Sequence, residues 1–265
     1  MSEKITSLTN PRVKQIVRLK DSAARKESGL IVVDGLREIT RELEAKIDLK
    51  EIYTCHELLK GEGRMLWKKL SALKKPLYET TKEVFEKISY GERQDGILIV
   101  CEARASFLSD VPTTKQPLIV VVEHVEKPGN LGAIIRTADS AGVDGVIVCD
   151  AKTDIYNPNV IRASMGTVFS IKIVVSSNEA AYKFLKSKEV TICTARPQAK
   201  MIYTEGNFRR PVAIVVGSEE KGLSDFWIGH SDTDLKIPMH GRADSLNVST
   251  STAILLYEAL RQRSQ

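Results

Sequence analysis

Apolar and polar positions along the chain fall into blocks that switch between a helical and a strand period. Val13, Ile16 and Val17 share one face of a segment whose other faces carry Lys14, Arg18 and Arg25, which predicts a helix over 11–27. The apolar run Gly29-Leu-Ile-Val-Val33 predicts a buried strand. A helix over 36–45, a strand over 49–55, a helix over 64–74, a short strand over 77–80, a helix over 82–89 and a strand over 96–101 follow. This alternation predicts a small α/β sandwich. Residues 103–117 then collect Ser106, Ser109, Pro112, Thr113, Thr114 and Pro117 with few apolar positions, a linker composition. The reading is thus a domain over 1–105, a linker over 106–116 and a second domain over 117–265. In the second domain, strands are expected at 118–124, 145–149, 171–175, 190–194, 212–216 and 235–239. Helices are expected at 130–141, 158–168, 178–187, 224–230 and 247–262. Short, wholly apolar strands separated by helices predict a mostly parallel sheet covered on both faces.

Composition narrows the class. At 265 residues and 42% hydrophobic, the chain can bury a core without staples. No run approaches the roughly 18 apolar residues of a membrane span, and the first residues lack an apolar leader, so a cytoplasmic protein is expected. Cys55, Cys101, Cys149 and Cys193 stand far apart, and the four histidines make no paired spacing. Reduced structural thiols and no metal site are therefore expected. Residues 1–26 hold seven basic side chains (Lys4, Arg12, Lys14, Arg18, Lys20, Arg25 and Lys26) against Glu3 and Asp21, which accounts for the whole net charge of +5. A basic arm suits a polyanion, and a solvated surface helix explains the same charges equally well.

Three Gly/Asn/Ser-rich segments follow strands of the second half, where ligands bind in open α/β sheets. In Glu123-His-Val-Glu-Lys-Pro-Gly-Asn-Leu-Gly-Ala-Ile-Ile-Arg-Thr-Ala138, glycines permit a tight loop, Asn130 can cap the following helix, and Arg136 lies six residues on. Taken alone, a cap and a surface charge suffice. Ala213-Ile-Val-Val-Gly-Ser-Glu-Glu-Lys-Gly-Leu-Ser224 looks superficially like a phosphate-binding loop, but Leu223 stands where that motif needs lysine, which disfavours triphosphate hydrolysis. Leu235-Lys-Ile-Pro-Met-His-Gly-Arg-Ala-Asp-Ser-Leu-Asn-Val-Ser249 runs into the last helix. There Ser245 and Asn247 can cap, while Ile237, Pro238 and Met239 could hold an apolar group.

In order and spacing, Asn-x5-Arg, Val-Val-Gly-Ser-Glu-x-x-Gly-Leu and Ile-Pro-Met-x4-Asp-Ser-Leu-Asn-Val-Ser resemble the three signature motifs of the SpoU/TrmH family of SPOUT RNA 2′-O-ribose methyltransferases. The resemblance covers about 117–262 and includes Asn157-Pro-Asn-Val-Ile-Arg-Ala-Ser-Met-Gly-Thr-Val-Phe169. The first half, through its element order and Val33-Asp-Gly-Leu-Arg-Glu38, is similar to the ribosomal-protein-like RNA-binding domain of many members.

The resemblance implies an α/β protein with a C-terminal trefoil-knotted methyltransferase domain, a homodimer, S-adenosylmethionine as cofactor and RNA as substrate. Val216, Gly217, Ile237, Met239, Ser245 and Leu246 would contact the cofactor. Arg136 matches the family's catalytic arginine, and Asn130, Glu219, Ser245 and Asn247 match its supporting polar residues. Arg162 would contact phosphate, or else serve a structural ion pair. Arg12, Lys14 and Arg18 would attract RNA over a longer range. The size of the first domain favours 23S ribosomal RNA. Transfer RNA as substrate and a non-catalytic RNA-binding protein are the alternatives.

Overall fold

The computed structural model describes residues 3–91, 95–112 and 114–264. In chain order its strands and helices are β1 (Glu3–Ile5), α1 (Pro11–Arg18), α2 (Ser22–Ser28), β2 (Leu30–Asp34), α3 (Leu36–Glu44), β3 (Leu49–Thr54), α4 (Gly61–Ser71), β4 (Leu77–Thr80), α5 (Lys82–Ile88) and β5 (Ile97–Glu102). Next come β6 (Leu118–Glu123), α6 (Pro128–Ser140), β7 (Gly145–Cys149), α7 (Pro158–Ala163), β8 (Ile173–Ser176), α8 (Asn178–Ser187), β9 (Thr191–Ala195), β10 (Met201–Ile202), β11 (Val212–Val216), α9 (Asp225–Gly229), β12 (Thr233–Lys236) and α10 (Val248–Arg263). They form two compact units. One holds residues up to Ala105 together with Tyr156–Ser170; the other holds Ser106–Ile155 and the chain from Ile171 onward. Among the described residues no helix is long and apolar enough to cross a membrane.

The first unit is a five-stranded sheet in the order β1-β4-β3-β5-β2, with β5 running against its neighbours. Val13 and Ile16 of α1 and Val84, Phe85 and Ile88 of α5 pack on Tyr53, Leu98 and Val100. The expected helix over 11–27 is two helices. The chain turns at 19–21, and the buried Arg25 donates to the carbonyls of Leu19 (2.8 Å) and Lys20 (2.9 Å), which α1 leaves free at its end. Strand β1 is too short for a period to announce it.

Residues 156–170, read from sequence with the second half, pack in the first unit. Arg41 donates to the Met165 carbonyl at 2.7 Å. Gly166 presses so close to the α3 backbone that a Cβ would come within 2.9 Å of the Glu38 Cα. The helix expected over 158–168 stops at Ala163, because Met165 (φ 53°) and Gly166 (φ 81°) turn left-handed.

Two acidic groups of α3 lie in the interior of this unit. Glu38 and Glu42 are 1% and 0% exposed, and among the described residues no N–H or O–H donor meets their carboxylate oxygens. Burial pushes the Glu42 carboxyl up to about 7, with the neighbouring Cys101 thiol opposing. Burial likewise pushes Asp34 up to about 6, although the Tyr90 amide and Arg162 favour its charge. A carboxyl raised on folding takes up a proton as the chain folds. Its contribution is therefore complete below the unfolded value near 4.5 and fades as pH rises towards 7. For Glu42 the fade is on the order of 3 kcal/mol. Urea titrations at pH 5 and pH 8 should show the wild type less stable at pH 8, and Glu42→Gln should remove most of that difference. An unchanged slope in Glu42→Gln would place the buried proton elsewhere.

The second unit is a seven-stranded, all-parallel sheet in the order β10-β12-β9-β11-β6-β7-β8. At its centre Val215 pairs with Val121 and Val121 with Ile147, all fully buried. The residues expected to be a linker do not hang free. Val111 is 3% exposed and docks in this unit's core beside Gly145. The strand expected over 235–239 ends at Lys236, since Pro238 cannot donate to a ladder.

Candidate active site

The three motif segments meet at the carboxyl edge of the second sheet. The apolar run of β11 carries the chain to Gly217, where only glycine fits. A Cβ there would fall inside the backbone of Gly222 and Leu223. The loop folds back at once, with Ser218 and Gly222 exchanging two backbone hydrogen bonds of 3.1 Å. Leu223 anchors it in the core. Ser224 then donates to the Glu123 carboxylate through its amide (2.8 Å) and its hydroxyl (2.6 Å). Glu123, fully buried at the end of β6, also accepts from Asn178 (2.7 Å), whose own oxygen accepts from Trp227 at 2.6 Å. Three donors thus satisfy a buried charge and fix the loop to the sheet. The sequence signal was a carboxylate closing a wholly apolar strand, and motif reading passed over it. Glu123, His124 and Asp150 bring potential ligand atoms within 4.8 Å of one another, although the Glu123 oxygens are already engaged.

Loop 217–222, the segment after β12 and the start of α10 enclose a cavity of about 580 Å³. Val216, Gly217, Ile237, Met239, Ser245, Leu246 and Glu219 all line it, so every expected cofactor contact borders one cavity. Sequence reading missed a further part of the lining, Ala195, Arg196, Pro197 and Gln198 after β9. Arg196 is held by Asp234 at 2.5 Å. Burial tends to raise the Asp234 carboxyl, but hydrogen bonds from Thr194 and Arg196 keep it below the usual carboxylate range. The guanidinium is thereby paired, and Glu219, Glu220 and Asp244 line the cavity with Lys221.

Asn130 and Asn247 are outside the wall but tied to it. The Asn130 amide donates to Glu219, and the Asn247 amide donates to the Asn130 oxygen at 3.1 Å. One residue from each motif enters this chain. Asn130 does not cap α6, as its sequence position suggested. The helix begins earlier, at Pro128, and Asn130 turns its side chain to Glu219. Asn247 does cap α10, accepting from the Ser249 amide at 2.9 Å. Ser245 does not cap; it lines the cavity.

Arg136 is not in the cavity wall. It is exposed on α6, whose other face packs Leu131, Ile134, Ile135 and Ala138 into the unit. The candidate RNA contacts divide. Lys14 is exposed, and Arg18 makes an exposed pair with Glu27 at 3.5 Å. Arg12 is engaged, bonded to Glu51 at 2.6 Å and stacked 4.3 Å over Tyr78. Arg162 donates to the Tyr90 carbonyl inside the first unit, and its charge acts on the Asp34 carboxyl there.

Comparison with known proteins agrees with this geometry. The SpoU rRNA Methylase family matches residues 117–257, and an MRM3-like substrate binding domain matches residues 10–99. The chain is 28% identical over 255 residues to a 23S rRNA (guanosine(2553)-2′-O)-methyltransferase of Bacillus subtilis, covering 96% of this chain and 98% of that one. It resembles the crystal structure of an RNA 2′-O ribose methyltransferase at 38% identity and a TM-score of 0.87, covering 99% and 100% of the two chains. It also resembles an AdoMet-bound rRNA methyltransferase from Sinorhizobium meliloti at 29% identity and a TM-score of 0.89, with 98% of each chain covered. The chain belongs to the SpoU rRNA methylase family.

Proposed function

We propose that this protein transfers a methyl group from S-adenosylmethionine to a ribose 2′-hydroxyl of 23S ribosomal RNA. The observation that carries the proposal is the convergence of three sequence-distant segments on one cavity, joined by the Glu219–Asn130–Asn247 chain. The cavity fits the cofactor in size and chemistry. Its volume lies within the range of small-molecule sites, about 300–1,000 Å³. Val216, Ile237, Met239 and Leu246 offer an apolar bed for an adenosyl group, and three carboxylates against Lys221 and an arginine already paired with Asp234 suit a cation better than a phosphate.

When bound, the cofactor supplies a methyl on a positively charged sulfur, a leaving group already activated. What remains for the protein is alignment. Gly217 and the loop it permits shape one side of the cavity, and Ile237 to Leu246 the other. Asn130, immobilised from both ends, orients polar groups at the mouth. Arg136 stays a cation, because neutralising an arginine at pH 7 costs on the order of 7 kcal/mol. Its role here is to clamp a phosphate and set the attacking hydroxyl. Since Arg136 is exposed and outside the wall, the proposal includes a homodimer in which α6 and α10 bring it to a site near the subunit interface. Tyr257, 51% exposed on α10, is a candidate contact.

The trefoil knot belongs to this proposal too, and strand order supports it. Strand β12 lies between β9 and β10 and runs parallel to both. The connection 196–200 must therefore pass across the end of β12. In the proposed knot the chain leaving at Ile237 passes beneath that connection to reach α10.

The test is methylation of purified 23S, 16S and transfer RNA with labelled cofactor, followed by mapping of the modified ribose. Label confined to a 23S ribose supports the proposal; label confined to transfer RNA, or absent from all three, contradicts it.

A further inference from the structure

The first unit contains a second cavity, which the methyl-transfer reading does not use. Its volume is about 310 Å³, and its walls are Leu36, Glu57, Leu58, Lys60, Lys82 and Asp95. These residues come from four separate connections that topology brings to one edge. Leu36 follows β2, Glu57, Leu58 and Lys60 follow β3, and Lys82 follows β4. Strand β5 runs the opposite way, so its start, preceded by Asp95, lies at the same edge. The carboxyl edge of an α/β sheet is where such folds place ligands.

The lining selects among ligands. Among the described residues the lining carries two lysines and two carboxylates, so a bare phosphate gains little there. A group that donates hydrogen bonds to carboxylates and carries apolar faces gains more. Unpaired guanine does both: N1–H and the N2 amine are adjacent donors, and its ring faces are apolar enough for Leu36 and Leu58. Lys60 and Lys82, exposed residues of the same lining, then meet the flanking phosphates. A volume near the lower end of the small-molecule range suits one nucleoside. RNA is read by sequence mainly through such unpaired, splayed-out bases.

We infer that this cavity receives one unpaired guanosine of the RNA substrate, with Glu57 and Asp95 accepting from its Watson–Crick edge. The inference rests on the RNA reading above and adds a base-specific contact far from the cofactor cavity in sequence.

The experiment measures binding of the full chain to labelled RNA hairpins that differ in one loop nucleotide. Wild type should bind the guanosine hairpin about ten-fold more tightly than adenosine, cytidine or uridine hairpins, with inosine, which lacks the N2 amine, in between. The paired substitutions Glu57→Gln and Asp95→Asn should erase that preference while leaving the melting temperature close to wild type. Lys60→Ala with Lys82→Ala should weaken all hairpins alike and lower the salt slope by about two. Free guanosine monophosphate should compete only weakly; competition as strong as the hairpin's would assign the cavity to a free nucleotide and overturn the inference. Equal binding of all hairpins by wild type, or a preference that survives the Glu57→Gln/Asp95→Asn change, would also overturn it. If wild type bound no RNA at all, the proposed function would fall with it, which separates the two failures.

Discussion

Replacing Gly217 by alanine should cut affinity for S-adenosylmethionine by about a hundred-fold and lower the melting temperature. The added Cβ has no room, because it would overlap the backbone of Gly222 and Leu223, neither of which can swing aside like a side-chain tip. Forcing backbone out of place costs about 1–3 kcal/mol, and each 1.4 kcal/mol is a factor of about ten in affinity. The displaced loop 217–222 forms one wall of the cavity, so the cost falls on binding. Gly222→Ala is the control. Gly222 adopts φ 67° but has open space where its Cβ would stand, so that change carries only the backbone penalty of about 1 kcal/mol. Calorimetric titration of both variants should therefore give a large loss for Gly217→Ala and a loss of several-fold at most for Gly222→Ala. Equal effects would mean that the loop is not shaped by the close approach at Gly217.

The second large effect is expected at Arg136. In the proposed reaction Arg136→Ala and Arg136→Lys should both lower turnover about 10²-fold or more while cofactor affinity stays near wild type. Arg136 lies six residues beyond Asn130, a rise of about 9 Å and roughly two-thirds of a revolution further round the helix. It therefore faces away from the Glu219–Asn130 contact, as its exposure shows. A guanidinium there can meet a phosphate in two parallel hydrogen bonds, which an ammonium cannot. Single-turnover assays with saturating cofactor separate this effect from binding. Near-normal rates for Arg136→Lys at neutral pH would sink the bidentate clamp.

Much of the fold was legible because the strands of the second sheet are short and wholly apolar. Leu118–Val122 and Val212–Val216 have no polar position at which to slip, and each lies where its pattern put it. The three motif segments were legible for a similar reason, since glycines and small polar residues directly after such strands leave few other roles. What escaped lacked period or length. β1 and β10 are three and two residues long, and they exist only through their neighbours. Pro197 and Gln198 carry no chemistry that marks a wall; only the placement of β12 beside β9 makes them one. Charge misled most. Arg12 and Arg25 counted from sequence towards a basic arm, yet Glu51 and backbone carbonyls engage them, a distinction that only tertiary contacts create. Glu123 and Glu42 show the converse, since neither the apolar strand that ends in Glu123 nor the charged helix that holds Glu42 shows in sequence that the acid is buried, or which donors will meet it.

The most direct measurement is amide hydrogen exchange with and without S-adenosylmethionine. Protection should appear together in 216–223, in 237–246 and in the 195–198 connection, and should vanish from all three in Gly217→Ala. Protection restricted to one of these segments, or centred in the first unit, would contradict a single cavity built from distant loops.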